Sequence, residues 1–151
     1  MIIGEKELRK IFRSKDIQPA GIDLRLKNLY EQKSAASLIN EEKNLPKLNK
    51  IEGPIYELKP GKAYLAETQK IKIPRGYAML YFPRSTLIRS FVDVRTALGD
   101  PGFEGKLYFL IVNHGEYIYK IKKGERFAQA VLVKVKGSGK YNGDYQNFQI
   151  E

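Results

Sequence analysis

The sequence predicts an all-β fold, a distorted jelly-roll β-barrel or sandwich carrying a short N-terminal helix and a mobile C-terminal tail. Two patterns predict it. From residue 55 onward, short apolar runs recur between Pro/Gly turns, the pattern of antiparallel strands packed as a sandwich or closed as a barrel. Helical spacing marks a short N-terminal helix at residues 4–14, where Leu8, Ile11 and Phe12 share one face.

After that helix, Ile17-Gln-Pro-Ala-Gly21 is a break, because proline lacks an N–H and glycine frees the backbone. Ile22-Asp-Leu-Arg-Leu26 alternates strictly and reads as a strand with Asp23 and Arg25 on its polar face. Residues 31–50 are rich in Lys, Asn and Glu and are expected to form a mobile loop or insertion, with a helix-compatible patch at 34–39. Strands follow at 55–58, 63–73, 77–82, 91–94, 107–112, 116–121 and 126–136, separated by Lys59-Pro-Gly-Lys62, Pro74-Arg-Gly76, Asn113-His-Gly115 and Lys122-Lys-Gly124. Residues 137–151 lack apolar periodicity and are expected to be flexible. The chain has no internal repeat, and its 151 residues suit a single domain.

Composition removes several chemistries. There is no cysteine and one histidine, His114, so a Cys/His zinc site and a cysteine nucleophile are both excluded. His114 sits in an Asn-His-Gly turn, a poor place for the base of a Ser-His-Asp triad. The net charge of +10 favours anionic partners, but the lysines are scattered along the chain. A clustered basic and aromatic stripe for nucleic acid is missing, so no nucleic-acid partner is expected. No apolar run reaches the roughly 20 residues that span a bilayer, and acids occupy the N-terminal stretch where a secretory signal is apolar. No membrane association and a cytoplasmic location are therefore expected.

Four short segments carry chemistry. Leu98-Gly-Asp-Pro-Gly-Phe-Glu-Gly-Lys106 holds Asp100 in a tight turn between two strands, where a carboxylate can orient water and Phe103 can wall a pocket. Asp-Pro-Gly is also an ordinary turn sequence. Asp23 can hold a metal-bound water or be a surface acid. Arg84-Ser-Thr86 brings a guanidinium, two hydroxyls and backbone donors that suit a phosphate, although Ser and Thr also start helices for structural reasons. Gln129 alternates with apolar neighbours and can face a pocket.

The order of Ala20-Gly-Ile-Asp-Leu-Arg25, Pro83-Arg-Ser-Thr-Leu87, Gly99-Asp-Pro-Gly-Phe-Glu-Gly105 and Gly124-Glu-Arg-Phe-Ala-Gln129, with the tail Lys140-Tyr-Asn-Gly-Asp-Tyr-Gln146, resembles that of the dUTPase/dCTP deaminase superfamily. The resemblance covers nearly the whole chain. It implies a homotrimer with sites built between neighbouring subunits, acting on a pyrimidine deoxynucleoside triphosphate with Mg²⁺. Deaminases of this family carry a catalytic glutamate three residues before the Asn that ends the strand after the Asp-Pro-Gly turn. Here that Asn resembles Asn113, and the matching residue is Leu110.

Leucine cannot move the proton that amine replacement requires, and Glu104 sits in the turn rather than on the strand. The chain therefore resembles an archaeal-type dUTPase on the deaminase-like branch, with dCTP deamination, or both reactions together, as the alternative. A nucleotide-binding module without catalysis is a further one. The dUTPase resemblance implies that Asp100 deprotonates the attacking water and that Asp23 touches Mg²⁺ through water. It also implies that Arg84, Ser85, Thr86 and Gln129 bind phosphate. Phe103 would pack on deoxyribose, and the backbone around Ala97 to Asp100 would read the base. Lacking an arginine beyond Arg126, the tail would act through Lys140, Tyr145 or Gln146, with Phe148 available to stack.

Overall fold

The computed structural model describes residues 1–150. Helix α1 (Glu5–Ile11) opens with Glu5 and Glu7 and ends with Arg9 and Lys10, the charge order that suits a helix dipole, and it buries Leu8. The remaining order is β1 (Ile17–Gln18), β2 (Gly21–Arg25), β3 (Asn28–Gln32), β4 (Ser37–Ile39), β5 (Glu42–Asn44), β6 (Leu48–Lys50), β7 (Ile55–Leu58), β8 (Ala63–Lys72), β9 (Tyr77–Pro83), α2 (Ser85–Ile88), β10 (Val92–Arg95), β11 (Glu104–Asn113), β12 (Tyr119–Lys122) and β13 (Arg126–Lys134).

Every pairing is antiparallel. One sheet runs β1-β2-β13-β9 and a second β10-β11-β8-β3-β6, with the pairs β12-β7 and β4-β5 beside them. The inner faces meet in one apolar cluster that includes Leu24, Phe127, Leu132, Met79, Phe109 and Ile111. Strand β11 shows how alternation builds it: Leu107, Phe109 and Ile111 are buried, while Lys106, Tyr108 and Leu110 point to the other face. Burying a side chain such as Phe127 or Leu24 contributes about 1.5–3 kcal/mol. Asn113 closes β11 by donating to Leu58 O (2.9 Å) and Tyr117 O (2.7 Å) while accepting from Gly115 N (2.9 Å).

Three local expectations change. The patch 34–39 is not helical: β4 and β5 form a hairpin whose turn residues Asn40 and Glu41 adopt positive φ (49° and 65°). The β-favouring Leu38-Ile39 pair and the tight turn outweigh weak helical spacing. Strand β2 has no solvent face, since Asp23 is buried and Arg25 partly so. Residues 137–150 do not lie free: Tyr141 N donates to Pro101 O (2.6 Å) and Asn147 N to Glu104 O (2.9 Å).

Candidate active site

The turn between β10 and β11 is fixed from both ends. Gly99 exchanges two backbone hydrogen bonds with Met79 on β9, each 2.8 Å, and Phe103 N closes the turn on Asp100 O at 3.1 Å. Gly102, at φ 82°, occupies the left-handed region, where glycine carries no steric cost. Asp100 is left exposed at the tip, and among the described residues no side chain or backbone group pairs with its carboxylate.

Beside it opens a pocket of about 390 Å³ whose lining includes Ala97, Asp100, Phe103, Tyr81, Lys106 and Tyr108. The tail supplies another wall with Tyr141, Tyr145 and Phe148. Phe103 meets Tyr141 edge-on at 5.4 Å. Gln146 clamps the turn from outside, accepting from Glu104 N (2.9 Å) and donating to Gly102 O (3.1 Å). Lys140 packs its stem over Gly102. Because Met79 occupies both backbone groups of Gly99, the groups left to read a base edge belong to Ala97 and Leu98 and to the Asp100 N–H.

A second, more polar pocket of about 610 Å³ is lined by Gln18, Asp23, Arg84, Ser85, Arg89 and Gln129, among others. Asp23 is its buried centre, 2% exposed. Gln18 Nε2 (3.1 Å) and Arg126 Nη1 (3.1 Å) donate to Asp23 Oδ2, and Arg84 Nε lies 3.5 Å from the same oxygen. All these contacts fall on Oδ2, so Oδ1 has no hydrogen-bond partner among the described residues. Helix α2 is a single turn, so the phosphate-binding capacity here rests on side chains rather than on a helix dipole. Thr86 is exposed on α2, outside the pocket lining.

The two pockets share no lining residue. A register shift between Lys106 and Tyr108 lies beside the first and one between Arg126 and Ala128 beside the second; such irregularities re-aim side chains near sites. Leu110 is 44% exposed and outside the lining of both pockets. Glu104, expected in the turn, is instead the first residue of β11, because it pairs there with Lys72 on β8; its side chain meets Lys70 at 3.3 Å and is outside the pocket lining.

Sequence reasoning missed Tyr81, Lys106, Tyr108, Gln18 and Arg89. The outward positions of β11 could have flagged Lys106 and Tyr108; Gln18 and Tyr81 left no signal, since their roles arise from strand pairing. Behind the first pocket lies a buried carboxylate, Glu67, which accepts from Asn28 Nδ2 (2.7 Å), Tyr108 OH (3.0 Å) and Tyr30 OH (3.2 Å), with Lys106 Nζ at 3.6 Å. Burial pushes the Glu67 carboxyl up, but these hydrogen bonds and the lysine charge outweigh it and hold it below its usual value. Tyr30 is pushed up to about 12 by burial and by Glu67.

The antiparallel β sandwich presents a carboxylate-tipped aromatic pocket, suited to a ring, and an arginine-bearing polar pocket, suited to an anion. A sequence model described as dCTP deaminase-like matches residues 2–135, and the chain belongs to that family. A relative from Methanothermobacter thermautotrophicus, named "Probable deoxyuridine 5'-triphosphate nucleotidohydrolase", is 60% identical over 149 residues, covering 97% of this chain and 99% of the relative. A Methanocaldococcus jannaschii protein named "Deoxyuridine 5'-triphosphate nucleotidohydrolase" is 32% identical over 157 residues, covering 97% and 99%.

Among solved structures, the 2'-deoxycytidine 5'-triphosphate deaminase of Agrobacterium tumefaciens matches with TM-score 0.69 at 17% identity. That match covers 87% of this chain and 47% of the deaminase, so the chain spans about half its length. The dUTPase of Staphylococcus bacteriophage 80alpha matches with TM-score 0.55 at 21% identity, covering 88% and 79%. These two matches establish the shared fold. Among the described residues no helix is long and apolar enough to cross a membrane.

Proposed function

We propose that the chain is a dUTP diphosphatase, cleaving dUTP to dUMP and pyrophosphate by attack of water on the α-phosphorus and so keeping uracil out of DNA. The observation that carries the reading is Asp100, an exposed carboxylate without a partner among the described residues, held at the mouth of an aromatic pocket by a turn pinned on β9. Such a group is free to accept a proton from water. The names of the relatives at 60% and 32% identity support the same substrate. Phe103 would pack on the deoxyribose, Ala97 would offer backbone groups to the uracil, and Tyr145 would cover the mouth with Gln146 and Lys140 steadying the turn. Leu110 leaves the deaminase position without a proton-moving group, which disfavours ammonia release from dCTP.

Arg84, Ser85 and Gln129 would bind the triphosphate, Thr86 standing beside them, and would offset charge developing in the transition state. In a homotrimer, the arrangement that the family resemblance implies, the site would be completed between copies of the chain, and two pockets without a common lining residue are compatible with that. Mg²⁺ fits this arrangement: it favours substrate phosphates, waters and one or two carboxylates over an all-protein cage. Asp23 offers a free Oδ1, and no group of three His, Cys, Asp or Glu that could hold a metal exists among the described residues. When bound, the metal would neutralise phosphate charge.

Purified protein with Mg²⁺ should release pyrophosphate from dUTP, and Asp100→Asn should abolish that release while leaving the oligomer intact. Ammonia from dCTP in the wild type would instead favour deamination. Tight dUTP binding without turnover would point to a module that has lost catalysis.

A further inference from the structure

We infer that the β4–β5 hairpin is a dock for the C-terminal tail, with Lys43 as a positioning residue that sets how the tail aromatics close the pocket beside Asp100. This rests on the proposed function only for the identity of the nucleotide.

The hairpin buries none of its strand residues. It therefore contributes nothing to the core, and ordering its chain must be offset by what it holds. What it holds is the tail. Lys43 on β5 forms an ion pair with Asp144, and its ammonium stands 4.6 Å from the centre of the Tyr145 ring. Just beyond β5, Leu45, Pro46 and Leu48 share a groove with Phe148 and Ile150. Phe148 then meets Tyr145 edge-on at 5.3 Å and Tyr108 at 5.8 Å, and all three of these rings line the pocket beside Asp100.

The tail is thus gripped from two sides. Its backbone is bonded to the catalytic turn through Tyr141 and Asn147, while the side chains of Asp144 and Tyr145 are held by the hairpin. The turn fixes where the tail passes, and Lys43 fixes which way its aromatic face looks. A segment whose polar composition reads as an insertion is, in three dimensions, the outer jaw of the substrate pocket.

The test is a charge swap: Lys43→Glu, Asp144→Lys and the double variant. In nucleotide-free protein, Lys43→Glu should speed amide exchange at Tyr141 and Asn147 by about threefold to tenfold, the range for an exposed ion pair joined to a cation–π contact. KM for dUTP should rise by a similar factor, with kcat within about twofold. The double variant should recover part of both effects. Unchanged exchange and KM in Lys43→Glu, or a double variant no better than either single one, would overturn the inference. Protein that turns over no dUTP yet shows the exchange response would sink the assigned substrate and leave the dock standing.

Discussion

Gly99 and Met79 exchange two backbone hydrogen bonds at 2.8 Å, which fastens the turn bearing Asp100 to a buried residue of the edge strand β9. A carboxylate on a surface turn is thereby anchored one residue away from a backbone contact with the core. The same contact leaves no room on Gly99: an added Cβ would press on the Tyr81 hydroxyl and lie 2.6 Å from Ile73 Cδ1 and 3.0 Å from Met79 Cβ.

Gly99→Ala should therefore destabilise the fold by about 1–3 kcal/mol, as overpacking does, and displace Asp100 enough to cut dUTP hydrolysis at least about tenfold. Thermal unfolding and pyrophosphate release check the two effects separately. Tyr81→Phe should behave oppositely in stability, because its buried hydroxyl has no partner among the described residues. Removing it should leave the melting temperature unchanged or raised.

Asp23→Asn removes the charge that faces Arg126 and Arg84. Both guanidiniums keep partial access to solvent, at 37% and 32% exposure, which softens the loss. A fall of about 1–3 kcal/mol in denaturant unfolding is expected. Ser85→Ala, on an exposed residue of the same pocket, should change stability by less than about 0.5 kcal/mol. Equal effects from the two substitutions would contradict the structural role given to the Asp23 cluster.

Stability should decline in acid for an identifiable reason. Hydrogen bonding and the charge of Arg25 hold Asp16 below its ordinary 3.8, and the network around Glu67 holds it below 4.5. A carboxyl depressed in the folded state stabilises the fold above its unfolded value, and that stabilisation is lost as pH falls through the folded value. The melting temperature should thus drop progressively from about pH 5 downward. In Glu67→Gln and Asp16→Asn the slope over that window should be shallower, with lower stability at pH 7.

The long strands could be read from the sequence because their apolar alternation is local: β7, β8, β9, β11 and β13 fall at or near their expected bounds. The short ones could not. Ile17–Gln18 is a strand only because it pairs with Gly21 and Ile22, and β3 and β6 are strands because Tyr30 and Lys50 stand opposite one another. Asp100 and Phe103 were legible for the same local reason, being set by one turn. The alternation puts Asp23 on a polar face, whereas its burial depends on β13 and on Gln18 of β1 closing over it. The docking of the tail, too, depends on contacts such as Lys43 with Asp144, 101 positions apart in the chain.

Two pockets with no residue in common have a genetic consequence. A lesion at Asp100 and a lesion at Arg84 damage different surfaces of the chain. With the site completed between copies of the chain, as proposed above, two such alleles co-expressed should restore one another, since a mixed assembly would set an intact nucleoside surface against an intact phosphate surface. Two alleles broken in the same pocket should never do so, and the pattern of complementing pairs would map the site without a bound nucleotide.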